Sequence, residues 1–199
     1  MKSLFTFARF LLLASLAGCS SLSMPSLPWS SAAKSDPTAE ALFEEGNRNF
    51  TDKRYVRALD SYSKIRTDHP FSPLMTQVEL KIANAHYRNQ QYPEAINAFK
   101  EFQSMHPTNE NVAFVTLRLG QAHFDQFTST DRDQKNTEIA KGYFENVITN
   151  YPKSPQAAEA SEKLAKCLEY LAEHEFNVAH FYFQQEKFPA ARDRFEEIV

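Results

Sequence analysis

The sequence predicts an all-α protein, a solenoid of helical hairpins, and three observations carry that prediction. First, four glycines and ten prolines in 199 residues are too few turn formers for a many-stranded β-protein. Second, one pattern of alanine, aromatic and aliphatic residues returns four times: Ala58-x3-Tyr62-x2-Ile65, Ala95-x3-Phe99-x2-Phe102, Ala140-x3-Phe144-x2-Val147 and Ala191-x3-Phe195-x2-Ile198. Positions i, i+4 and i+7 share one face of a helix, so each copy is the buried stripe of an amphipathic helix. Third, a proline stands eight residues after the aromatic in the first three copies, at Pro70, Pro107 and Pro152, where it stops the helix.

The chain opens with Lys2, Arg9 and the apolar run Phe10-Leu11-Leu12-Leu13-Ala14, closing on Leu16-Ala17-Gly18-Cys19. That order of charge, apolar stretch and small residues predicts a signal peptide over residues 1–18. The apolar part falls short of the roughly 18 to 20 residues that span a bilayer, which argues against a transmembrane anchor. Leu16-Ala17-Gly18-Cys19 also resembles the bacterial lipobox, which implies acylation of the Cys19 thiol and, after cleavage, of its new amino group. Several acyl chains hold a protein on a membrane where one holds it marginally. Ser20, standing where an aspartate would resemble the inner-membrane retention signal, points to the periplasmic face of the outer membrane. Residues 19–35 are serine-rich, carry Pro25 and Pro28, and show neither a strand nor a helix period, so they read as a flexible tether. Its unlipidated residues would span on average about 20 to 24 Å as a flexible coil.

From residue 36 to 199 the expectation is a repeat domain, with repeats at about 36–70, 72–107, 108–152 and 155–199. Small residues stand twelve positions before three of the four alanines, at Gly46, Ala83 and Ala179, and Gly120 stands twenty before the remaining one. They let the first helix of each hairpin approach the second. Small residue, alanine, aromatic and proline in this order resemble the tetratricopeptide repeat, which implies a right-handed superhelix. Asp36-Pro37, Ser72-Pro73 and Ser154-Pro155 each predict a capping side chain before a proline in the first helical position. The surplus between Gly120 and Ala140 predicts a polar loop near residues 125–134. Between Ala140 and Ala179 lie 39 positions where earlier repeats have 25, and the surplus predicts one long helix from Pro155 to about Glu186. Because the sequence closes inside the fourth repeat's second helix, a further hairpin is expected beyond Val199.

Several strings carry a closer resemblance: His69-Pro70-Phe71-Ser72-Pro73 with Gln77-Val78, Tyr92-Pro93-Glu94-Ala95, His106-Pro107-Thr108, Asp131-Arg132-Asp133-Gln134, Tyr151-Pro152-Lys153-Ser154 and Leu171-Ala172-Glu173-His174-Glu175. With the lipobox, tether and uneven repeats they resemble the BamD family of outer-membrane lipoproteins over nearly the whole chain. The resemblance implies a part of the machinery that inserts β-barrel proteins. Its partners would be the barrel-forming subunit BamA, other lipoproteins of that machinery and unfolded barrel substrates. Another tetratricopeptide lipoprotein, a secretin pilotin or a cell-wall-associated adaptor, is the alternative.

First helices line the inner side of such a superhelix, which nominates Phe43, Asn47, Phe50, Leu80, Asn84, Tyr87 and Arg88 for a peptide groove. Asparagine amides bond a peptide backbone and an arginine fork pairs with a carboxylate. The alternative is that these residues serve hairpin packing. Arg194 stands where the family carries an arginine near its barrel subunit, against the alternative of a solvated side chain. Asp131, Arg132 and Asp133 form a second candidate partner contact, with helix capping as the favoured alternative. Cys167, inside a helical pattern, reads as a small buried apolar residue.

Other chemistries lack their motifs. Formal charge is −3, and removal of a leader with two cations makes it more negative, against broad nucleic-acid binding. The six histidines form no ligand spacing with one another or with cysteine, so no metal is expected. No phosphate loop, nucleophile elbow or isolated carboxylate pair is present, so neither an enzyme nor a cofactor beyond the Cys19 lipid is expected.

Overall fold

The computed structural model describes residues 37–126 and 133–198, which form eight α-helices with no strand among them. In chain order they are α1 (Ala39–Thr51), α2 (Tyr55–Asp68), α3 (Met75–Arg88), α4 (Tyr92–Met105), α5 (Val112–Phe124), α6 (Lys135–Asn150), α7 (Gln156–Gln184) and α8 (Phe188–Glu196). Each helix packs against the next, and α5 also meets α7. The repeat pattern has become four antiparallel hairpins. The signal peptide, Cys19 and the tether, along with Asp131 and Arg132, lie outside the described residues.

Each core belongs to three helices. Ala39 and Leu42 of α1, Ala58, Tyr62 and Ile65 of α2, and Val78 and Ile82 of α3 form one cluster. Ala83 of α3, Phe99 and Phe102 of α4, and Val115 and Leu119 of α5 form the next. Leu117 and Phe124 of α5, Phe144 and Val147 of α6, and Ala160 and Cys167 of α7 form the third. A hairpin alone leaves its stripe half open, and the first helix of the following hairpin closes it. Tyr62, Phe99 and Phe144 are consequently 0% exposed. In the fourth hairpin Phe195 is half-buried, and Phe183 and Phe188 are 53% and 56% exposed.

The small residues stand where the pattern required them. A Cβ at Gly46 would run into the Tyr62 ring, and one at Gly120 would stand 2.6 Å from a carbon of the Phe144 ring. Gly142 faces open space.

The helix starts depart from expectation. Thr38 caps α1, accepting the Ala41 N–H at 3.2 Å, and Asp36 lies outside the described residues. Ser72 accepts from the Leu74 N–H at 3.2 Å, inside a turn that precedes α3. Pro155 is itself the residue before α7, and the Ser154 hydroxyl is buried without a partner. Only at Ser72-Pro73 does a turn through Pro73 and Leu74 precede the first helical residue, whereas Pro37 and Pro155 stand just outside their helices. The long helix is present, at 29 residues and about 44 Å. The insertion is also where expected, since α5 ends at Phe124 and α6 begins at Lys135.

Three hairpin turns hold a non-glycine residue at positive φ: Lys53 at 59°, Gln90 at 60° and Glu186 at 58°. Each is followed by a backbone N–H that reaches five residues back, as in Arg54 N–H to Asn49 O, Gln91 N–H to His86 O and Lys187 N–H to Tyr182 O. These bonds satisfy carbonyls that a helix end leaves open and hold the left-handed residue in place. The other hairpin has the long insertion instead.

Candidate functional site

A groove of about 360 Å³ runs along the first helices of three hairpins. Phe50 of α1, Leu80 and Asn84 of α3 and Phe114 of α5 line it. Lys81 and Arg88 of α3 and Arg118 of α5 bring positive charge to the same walls. The Lys81 ammonium stands 5.6 Å from the Phe50 ring centre, and the Arg118 guanidinium lies 5.1 Å from that of Tyr87 and 5.0 Å from that of Phe114. The residue types combine apolar contact, amide hydrogen bonding and cations. Such a surface suits an extended polypeptide with acidic groups.

The structure divides the nominated groove residues. Phe50, Leu80, Asn84 and Arg88 line the groove together. Phe43 packs beside the first core cluster, its ring 6.0 Å from that of Tyr62. Asn47 accepts the Tyr62 hydroxyl at 2.9 Å, so its side-chain oxygen serves the hairpin. Tyr87 packs against the second cluster and donates its hydroxyl to Asp125 at 2.5 Å. Burial, and then this bond, push the Tyr87 hydroxyl pKa up; burial alone pushes that of Tyr62 up to about 12. Asn47 and Asn84 are equivalent in sequence but not in environment. The Asn84 amide donates to Leu80 O of its own helix at 2.9 Å, and the residue lines the groove.

Sequence reasoning passed over Lys81, Phe114 and Arg118. A signal was present: Lys81 and Arg118 both stand two residues before the small residue of their hairpins, Ala83 and Gly120. The first hairpin has Glu44 there, so the basic character begins with the second.

At the other end, Arg194 Nη1 donates to Glu175 at 3.1 Å and to Glu197 at 3.0 Å, joining α8 to α7. The Glu175 bond leads in raising its pKa. Nearby, Phe183, Phe188, Ala191 and Phe195 line an open apolar groove of about 830 Å³. Asp133 accepts the Lys135 N–H at 3.0 Å across Gln134, the N-cap residue of α6. Cys167 is fully buried, and burial pushes its thiol up to about 11. Among the described residues no group of histidine, cysteine and carboxylate side chains is placed to hold a metal, and no helix is long and apolar enough to cross a membrane.

Comparison with known proteins agrees with this architecture. A BamD from Rickettsia prowazekii is 30% identical over 158 residues, 79% of this chain and 63% of the relative. A BamD from Neisseria meningitidis is 30% identical over 70 residues, 35% of this chain and 26% of the relative. The chain thus spans less than two-thirds of the length of these relatives. Among solved structures, the first tetratricopeptide domain of RPAP3, bound to the HSP90 peptide SRMEEVD, is similar over 67% of this chain and 93% of its own, with a TM-score of 0.51 and 25% identity. The Arabidopsis OM64 tetratricopeptide domain matches 64% of this chain and 94% of its own at a TM-score of 0.50 and 17% identity, and shows the fold. The family model described as YfiO, outer membrane lipoprotein, matches residues 35–199, and the chain belongs to that family.

Proposed function

We propose that this chain is a lipid-anchored adaptor of outer-membrane β-barrel assembly that binds two kinds of polypeptide at opposite ends of its solenoid. The observation that carries the reading is the family match across residues 35–199, with relatives named as outer membrane protein assembly factors. Cys19 would supply the anchor and residues 20–35 the reach. Unfolded barrel segments would lie in the groove beside Phe50, Leu80, Asn84 and Arg88. The RPAP3 domain, whose tetratricopeptide fold holds a short acidic peptide, supports that use of the groove. The BamA-like barrel subunit and other lipoproteins of the machinery would dock on the surface of α7 and α8, through Arg194, with Asp131, Arg132 and Asp133 as a second contact.

Such a role needs surfaces, not a reaction centre. A solenoid holds partners in a fixed relation because each hairpin is locked to its neighbours. The test is affinity purification of the tagged chain from outer membranes. Recovery of a large barrel-forming subunit, lost from the membrane fraction with Cys19→Ala, is the expected result. Recovery of a secretin or a peptidoglycan synthase in its place would overturn the assignment.

A further inference from the structure

The three turns that join one hairpin to the next share one design. In His69-Pro70-Phe71-Ser72, His106-Pro107-Thr108-Asn109 and Tyr151-Pro152-Lys153-Ser154 the N–H of the fourth residue donates to the carbonyl of the first, at 3.0, 3.1 and 3.0 Å. The first residue holds nearly the same φ in all three, −131°, −127° and −129°. Proline in the second position fixes such a turn, and the third residue is exposed in each. That third residue is polar in two of them, Thr108 and Lys153, and phenylalanine in the other. Phe71 is 98% exposed, more than any other large apolar side chain among the described residues. It belongs to none of the three core clusters, and the turn gains nothing from a phenylalanine there. Met105, at the end of α4, is half exposed and shares a small cleft with Arg66 in the last turn of α2, so a second apolar side chain stands at this end of the hairpins. The same turn also receives the start of the domain. His69 Nε2 lies 3.0 Å from the Pro37 carbonyl oxygen, and Phe71 follows His69 by two residues, within about 7 Å along the backbone.

We infer that Phe71 is an interfacial anchor, a side chain that enters the headgroup region of the bilayer on which the chain is held. This rests on the reading of Cys19 as the lipid-bearing residue. Residues 20–35 reach about 20 to 24 Å as a flexible coil. Pro37 joins them to the fold at the Phe71 turn, so the lipid keeps this turn within reach of the bilayer. A second contact on a tethered chain forms at high effective concentration and can therefore be weak on its own. The size of the patch identifies the occupant. One aromatic ring has about 150–250 Å² to bury, far below the roughly 1,200 Å² of a stable protein interface. A bilayer takes a single ring without a complementary pocket, and its interface favours aromatic and other apolar side chains. The flanking Pro70 and Pro73 are exposed and carry no N–H, so the turn meets the interface without leaving donors unpaired at those positions.

Fluorescence of the full lipoprotein in phosphatidylethanolamine and phosphatidylglycerol vesicles tests it. Trp29 is the only tryptophan, so Trp29→Phe gives a dark background for Phe71→Trp or, in the equivalent turn of the next hairpin, Thr108→Trp. Both positions are exposed, so neither substitution disturbs the core. The indole of Phe71→Trp should emit at shorter wavelength than that of Thr108→Trp. Lipids with brominated acyl chains should quench it about twofold or more, as a ring at the membrane interface requires, and leave the Thr108→Trp emission water-like. Flotation of the protein with the vesicles reads the anchor separately. A lipoprotein that does not float sinks the anchor reading, and this inference with it. A lipoprotein that floats while the Phe71→Trp indole stays water-like and unquenched overturns the inference alone. Equal quenching in Thr108→Trp also overturns it, because the contact would then belong to the whole edge and not to Phe71. A shift that appears only when detergent-solubilised outer-membrane proteins are added assigns the turn to a protein partner and overturns the lipid assignment.

Discussion

His123 shows how one residue links packing to solution conditions. Its ring stacks on Tyr143 with centres 5.8 Å apart, Nδ1 lies 3.2 Å from the Asn136 oxygen, and Nε2 is buried without a partner. Burial lowers its pKa from the ordinary 6.5, the Asn136 bond opposes this, and Lys100 adds to the lowering. The folded protein therefore binds that proton less readily than the unfolded chain. The stabilising contribution is complete above about pH 6.5 and is lost as pH falls through the lower folded value. Urea unfolding at pH 7.5 and pH 5.5 should show a loss of stability on acidification that is smaller in His123→Phe; an equal loss in both proteins would refute this origin. Asn47 and Asn84 give a second lesson at this scale. They share a register, but only Asn47 meets a tyrosine hydroxyl, because the second hairpin places Phe99 where the first has Tyr62.

Among the elements, the close approach of α5 to α6 depends on the absence of a side chain at Gly120. A methyl group there would stand 2.6 Å from the ring of a fully buried Phe144. Gly120→Ala should destabilise the fold by about 1–3 kcal/mol through overpacking. Gly142 lies within α6 and faces open space, so Gly142→Ala should stabilise by about 0.5–1 kcal/mol, through loss of backbone freedom in the unfolded chain. Opposite shifts in the denaturation midpoint are the check, and a stabilised Gly120→Ala would show that the hairpin can open without loss. The left-handed turns belong to the same scale. Lys53, Gln90 and Glu186 accept a backbone conformation costing about 1–2 kcal/mol because the hairpins on either side fix the path.

Across the whole molecule, stability is shared between neighbouring hairpins. Phe99 is enclosed by α3, α4 and α5, while its equivalent Phe195 meets Phe176 and the half-open end of the fourth hairpin. Phe99→Ala should cost about 3–5 kcal/mol, and Phe195→Ala no more than about half as much in this 199-residue chain. Equal costs would mean that the fourth hairpin is as well enclosed as the second. The same uneven burial sets the two candidate surfaces apart. The first groove combines rings with cations that form no ion pair among the described residues, whereas the second is apolar with Arg192 and Glu196 in its lining.

By itself the sequence determined the class of structure, the four hairpins, one long helix from about Pro155 and the insertion between α5 and α6, because helix periodicity, small residues and terminating prolines act over one or two turns. Half of the groove was legible for the same reason: Phe50, Leu80, Asn84 and Arg88 sit on the predicted first-helix faces. Tertiary structure alone decided that Asn47 would be held by Tyr62 and Tyr87 by Asp125, and that Arg118 would be fixed between two rings. Those outcomes depend on which side chain a neighbouring helix places opposite, a distance in space that no spacing along the chain encodes.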